Sequence, residues 1–102
     1  MTQTKTITKG ATRQESKYKK PHLWQVVLLN DNYTSFEFVV HILITIFHKS
    51  MDEAHVLTLQ IHHEGKGICG TYTYDVAETK RAEVLRLAKQ GQFPLHCKLY
   101  RE

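Results

Sequence analysis

At 102 residues, 24% charged and 41% hydrophobic, the chain is one small domain, neither disordered throughout nor built to sit in a bilayer. No apolar run approaches the roughly 18 residues of a membrane span, and Met1-Thr2-Gln3-Thr4-Lys5 has no apolar signal core behind it, so the expected location is cytoplasmic. Two cysteines, Cys69 and Cys97, are too few for a disulfide scaffold or a thiolate zinc site, and the net charge of +4 sits entirely in residues 1–22.

Those leading residues carry six Lys/Arg against Glu15 alone, whereas residues 23–102 sum to −1. With one Ile, one Ala and one Tyr they cannot bury enough apolar surface to offset ordering. They read as a flexible basic extension over 1–22, either a solubilising arm or an arm for nucleic acid or an acidic surface. The core is expected over 23–102. Leu23-Trp24-Gln25-Val26-Val27-Leu28-Leu29 reads as a buried strand closed by the turn Asn30-Asp31-Asn32. Thr34-Ser35-Phe36-Glu37 has capping-box spacing, and behind it Phe36, Val39, Val40, Leu43, Ile46 and Phe47 form one helical stripe. Phe38, Ile42 and Ile44 fall off that stripe. This helix is therefore either sandwiched between two elements or lines an exposed groove.

Ser50-Met51-Asp52-Glu53 is a second capping box, opening a helix that runs to about Glu64 and stops at Gly65. Gly67 to Tyr74 reads as a strand, with Ile68, Gly70, Tyr72 and Tyr74 on one side and Cys69, Thr71 and Thr73 on the other. Asp75-Val76-Ala77-Glu78 repeats the capping signal for a helix that buries Val76, Ala77, Val84, Leu87 and Ala88 and ends at Gly91. After Pro94, Leu95, Cys97 and Leu99 alternate with His96, Lys98 and Tyr100 as a last strand. The order β-α-α-β-α-β predicts an α+β two-layer sandwich, a three-stranded antiparallel sheet with three helices on one face.

His41, His48, His55 and His62 recur every seven residues, but the capping box at Ser50 breaks the axis that would align them, and no Cys or carboxylate completes a ligand set. No metal or other cofactor is expected. There is no G-x-S-x-G turn, no phosphate-binding glycine-lysine loop and no activated cysteine, so the chain does not read as an enzyme. What remains is a polar cluster beside the apolar helix: Asn30, Asp31 and Asn32 on its entry turn and His62 at the end of the next helix. Such acceptors beside an apolar hollow suit a ligand with a cationic head and a hydrophobic body. An Asx-turn and a helix cap would explain the same residues.

The segment Val26-Val27-Leu28-Leu29-Asn30-Asp31-Asn32-Tyr33-Thr34-Ser35-Phe36-Glu37-Phe38-Val39-Val40 resembles the L-N-D-D-Y-T-P-M-E-F-V signature of the ClpS adaptor family. The likeness continues through Ile61-His62-His63-Glu64-Gly65-Lys66-Gly67-Ile68-Cys69-Gly70, Asp75-Val76-Ala77-Glu78-Thr79-Lys80 and Pro94-Leu95, in family order and spacing. It implies a non-enzymatic adaptor that binds substrates beginning with Phe, Tyr, Trp or Leu and delivers them to the Clp AAA+ unfoldase–protease. By position, Asn30, Asn32 and His62 would hold the substrate's free α-amino group, on a turn supported by Asp31. Phe36, Val39, Thr58, Ile61 and Leu95 would line the side-chain pocket. Asp75, Glu78 and Lys80 would dock on the N-terminal domain of a ClpA-like or ClpC-like unfoldase, whose pore would engage the basic extension. The resemblance implies a monomer with neither nucleic-acid nor membrane partners.

Asn32 stands where the family usually has Asp, so amine binding is expected to be weaker, a charge-assisted hydrogen bond being roughly twice as strong as a neutral one. Phe36 and Thr58 replace usual methionines, implying a bulkier gate, a slightly more polar wall and a less pliable pocket. Ser35 replaces the usual Pro. Together these changes suggest a divergent member with altered side-chain preference. The competing expectation is a domain of the same fold that docks a partner without reading a free N-terminus.

Overall fold

The computed structural model describes residues 21–102. The extension expected over 1–22 falls almost wholly outside them; Pro21 and His22 are exposed and belong to no element. The elements are β1 (Leu23–Leu29), α1 (Phe36–Thr45), α2 (Met51–Glu64), β2 (Lys66–Thr73), α3 (Tyr74–Gly91) and β3 (His96–Arg101). They form one antiparallel sheet in the order β2-β1-β3, the predicted α+β sandwich. Among the described residues no helix is long and apolar enough to cross a membrane.

The central strand β1 sends Val26 and Leu28 into the core, where both are fully buried with Ile42, Leu43, Ala54, Ala77 and Val84. On α1 the buried face is Val39, Ile42 and Leu43, continued by Ile46 and Phe47 just past its end, so Ile42 belongs to the core and not, as the sequence pattern suggested, outside it. Phe38, Val40 and Ile44 pack against that core from the sides, leaving only Glu37, His41 and Thr45 exposed, one stripe four residues apart. The helix is sandwiched, which accounts for its excess of apolar residues.

Three local expectations change. The N-cap of α1 is Ser35, not Thr34: its backbone is extended and its hydroxyl accepts from the Phe38 N–H at 3.1 Å. Asp75 lies in the first turn of α3, behind a Thr73 cap whose side chain makes no capping bond, and Val76 there is exposed. That helix ends on Gln92 in the left-handed region, φ 61°, while Gly91 lies against the Phe93 ring, which itself packs on Phe38 at 4.7 Å. By contrast, α2 has the predicted reciprocal capping box between Ser50 and Glu53 and the predicted left-handed Gly65.

The simple alternation expected in β2 is broken. Its pairing with β1 shifts register between Val26 and Val27, leaving Cys69 as an extra residue between Ile68 and Gly70. Such a bulge reverses the inward phase of the strand. Gly67 before it and Cys69 within it are buried, Tyr72 is partly covered after it, and Ile68 faces solvent.

Both cysteines lie in the core layer, and burial pushes the Cys69 and Cys97 thiols up to about 12. Since the thiolate is the reactive form, the folded protein is expected to leave both unmodified by a disulfide reagent at pH 8, and the urea-unfolded chain to consume two equivalents. Rapid native labelling would contradict this placement.

Candidate functional site

At the end of β1 the turn Asn30–Thr34 is organised by one carboxylate. Oδ1 of Asp31 accepts from the Tyr33 and Thr34 N–H groups, each at 2.7 Å, and Oδ2 accepts from the Thr34 hydroxyl at 2.6 Å. Thr34 is thus engaged with Asp31 instead of capping α1. The Asn30 N–H donates to the Gly65 carbonyl at 2.9 Å, tying this turn to the end of α2. His62 stands in the last turn of that helix, beside His63 in an edge-to-face contact at 5.5 Å.

These two ends close a cavity of about 410 Å³. Asn30, Asp31, Asn32 and Thr34 line one side, Phe36 and Val39 of α1 another, and Thr58, Ile61 and His62 of α2 the third. Hydrogen bonding in the turn runs through Asp31 and the backbone, so the side-chain amides of Asn30 and Asn32 and the His62 imidazole have no hydrogen-bond partner among the described residues. Polar groups with acceptor capacity therefore face the same space as apolar walls. Two other hollows, of about 390 and 440 Å³, lie around Val27, Ile68 and Tyr100 on the sheet and around Val56 and Leu57 on α2. Neither contains the turn acceptors.

Two expectations for the pocket change. Leu95 does not line the cavity; it is 4% exposed within the hydrophobic core. Thr58 lines it, but its hydroxyl donates to the Ala54 carbonyl of its own helix at 2.7 Å. With that donor spent, the wall is less polar than the residue type suggests. Position 55 had no role in the sequence reading of the pocket, yet the His55 and Phe36 rings meet edge-to-face at 5.0 Å. Its signal was available: His55, Thr58 and His62 are spaced to share one face of a helix.

The residues expected to dock on an unfoldase do not form one free surface. Asp75 is exposed at the start of α3, whereas Glu78 is half-buried and pairs with Arg81 at 3.4 Å. Lys80 reaches back to α1: its Nζ donates to the Ile46 carbonyl at 2.7 Å and lies 5.8 and 5.3 Å from the Phe47 and Tyr72 ring centres. It thereby satisfies a carbonyl at the helix end, where a cation is favoured. Lys80→Met, which keeps the apolar stem, is expected to cost about 1–2 kcal/mol of stability. An unchanged urea midpoint would show that this bond contributes nothing.

A model of "ATP-dependent Clp protease adaptor protein ClpS" matches residues 19–98. The chain is 54% identical over 91 residues to the ATP-dependent Clp protease adapter protein ClpS of Parvibaculum lavamentivorans, covering 89% of this chain and 83% of that one. It is 52% identical over 86 residues to ClpS 1 of Rhizobium meliloti, covering 84% and 74%. Among solved structures, Agrobacterium tumefaciens ClpS2 bound to L-phenylalaninamide superposes with a TM-score of 0.79 at 36% identity, over 81% of this chain and all of that one. Identities above one half do not describe an outlying sequence, so the expectation of a divergent member gives way to that of an ordinary one with a few altered pocket positions.

Proposed function

The chain belongs to the ClpS family of Clp protease adaptor proteins, which are adaptors and not enzymes, and from that premise we propose that it reads the N-terminal residue of its substrates. One observation carries this reading: the acceptors of Asn30, Asn32 and His62 converge with the apolar walls of Phe36, Val39, Thr58 and Ile61 on a single cavity. A free α-amino group titrates near 7.7–8.0 and is largely cationic at neutral pH, so it needs acceptors. A bulky hydrophobic first side chain then gains by leaving water for the apolar part. The phenylalaninamide bound to the Agrobacterium relative offers the same two features, an amine and an aromatic ring.

Delivery follows as the second half of the proposal. Exposed Asp75, with Glu78, would meet the N-terminal domain of a ClpA-like or ClpC-like unfoldase in the cytoplasm, the adaptor acting as a monomer. Lys80 would contribute there only by giving up its bond to Ile46. The basic residues 1–22 would be the part that the unfoldase pore engages at hand-over.

Fluorescence anisotropy with a labelled peptide beginning with Phe tests the amine reading. The free peptide is expected to bind with a Kd on the order of micromolar. Its N-acetylated form and a Met-Phe peptide are expected to bind at least tenfold more weakly, a difference of about 1.4 kcal/mol. Equal binding of all three would favour docking on a partner without amine recognition.

A further inference from the structure

The cavity has one wall that is held from outside. Phe36, the first residue of α1, lines it and is only partly buried. At the helix start its ring has no preceding helical turn to lean on. What it meets is His55 of α2, edge-to-face, with ring centres 5.0 Å apart and planes at 75°. His55 is itself exposed, is not among the cavity's lining residues, and lies one turn before Thr58 on the same face of α2. The contact thus joins the phenyl ring of the pocket wall to a neighbouring helix that already supplies Thr58, Ile61 and His62.

We propose that His55 is a specificity-determining residue: by holding the Phe36 ring in place across the rim, it limits the width of the side chain the cavity admits. This rests on the reading of the cavity as an N-terminal residue pocket. A narrow branched side chain such as Leu enters with the pair intact. The two fused rings of Trp need Phe36 to swing, and the swing breaks its contact with His55. The cost of admitting Trp therefore includes the loss of one aromatic pair, whereas that of admitting Leu does not. Position 55 acts through Phe36 and touches no ligand.

Peptides beginning with Leu and Trp, titrated against wild type, His55→Ala and His55→Phe, test this. Because His55 is exposed on a helix, neither substitution disturbs the core. In His55→Ala the Trp-to-Leu affinity ratio is expected to rise about two- to tenfold, the magnitude of an aromatic pair. His55→Phe, which rebuilds an edge-to-face partner, is expected to keep the wild-type ratio. An unchanged ratio in His55→Ala, or equal weakening of both peptides, overturns the proposal while leaving amine recognition standing. Wild type that binds neither peptide overturns both. The ligand-free protein gives an independent reading: the Phe36 ring proton resonances are expected to shift on His55→Ala, and their failure to move would overturn the role of His55 alone.

Discussion

Asp31→Ala is expected to lower stability by about 1–3 kcal/mol and to weaken binding of a Phe-initiated peptide at least tenfold. Its carboxylate accepts three hydrogen bonds, from the Tyr33 N–H, the Thr34 N–H and the Thr34 hydroxyl. Bonds to a charged group contribute more than neutral ones, though a part-exposed turn recovers some of the loss from water. Losing them releases the turn that presents Asn30 and Asn32 to the cavity, so the binding defect is expected to exceed what any direct contact of Asp31 would explain. Asp31→Asn keeps one oxygen for the two N–H groups, and the Thr34 hydroxyl can turn to accept instead of donate, so it is expected to be milder. Urea midpoints and peptide anisotropy on both variants decide this; wild-type values for Asp31→Ala would mean the turn stands without its carboxylate.

The same group predicts a pH effect. Partial desolvation pulls the Asp31 carboxyl upward, but the hydrogen bonds from Thr34 and Tyr33, with His96 nearby, outweigh it and hold the group below its ordinary value. A carboxyl depressed in the folded state stabilises fully above its unfolded value, near 3.9, and that contribution disappears as the pH falls through the lower folded one. The difference in urea midpoint between wild type and Asp31→Asn is therefore expected to be constant above about pH 5 and to shrink below about pH 4.

The second large effect is expected at Gly65. Its φ of 92° is left-handed, and nothing lies within 4 Å of where a Cβ would stand, so the penalty of a side chain is purely conformational. Gly65→Ala is expected to cost about 1–2 kcal/mol, and Gly65→Asn less, because Asn tolerates this region better than Ala. Binding is expected to suffer as well. The Gly65 carbonyl accepts from the Asn30 N–H, and the Gly65 N–H donates to the Ile61 carbonyl. This one residue latches the helix end bearing His62 to the turn bearing Asn30. If Gly65→Ala were destabilised but bound peptide normally, the latch would have no part in placing the acceptors.

Much of this was legible locally. A β-branched run followed by Asn-Asp-Asn marked β1 and its turn, and the Ser50–Glu53 box with Gly65 bounded α2, because caps and turns are chosen by residues within a few positions of one another. The cap of α1 is ambiguous by one residue in the sequence since Thr34 and Ser35 are equally able to cap; Asp31, three residues upstream, claims Thr34 and leaves the role to Ser35. The broken alternation in β2 is not legible locally because a bulge depends on the register of the partner strand.

The sequence by itself determined the order of elements, the nearly neutral core behind a basic leading segment and the residue types of the site, because periodicity, capping chemistry and short motifs are properties of neighbours along the chain. Only the tertiary structure decided what those side chains do together. It committed Thr58's hydroxyl to its own helix, Lys80 to the end of α1 and Leu95 to the core, and it brought His55 against Phe36. Each of those outcomes is a competition for a partner, settled by which helices and strands pack side by side, and a one-dimensional pattern carries no distances between elements.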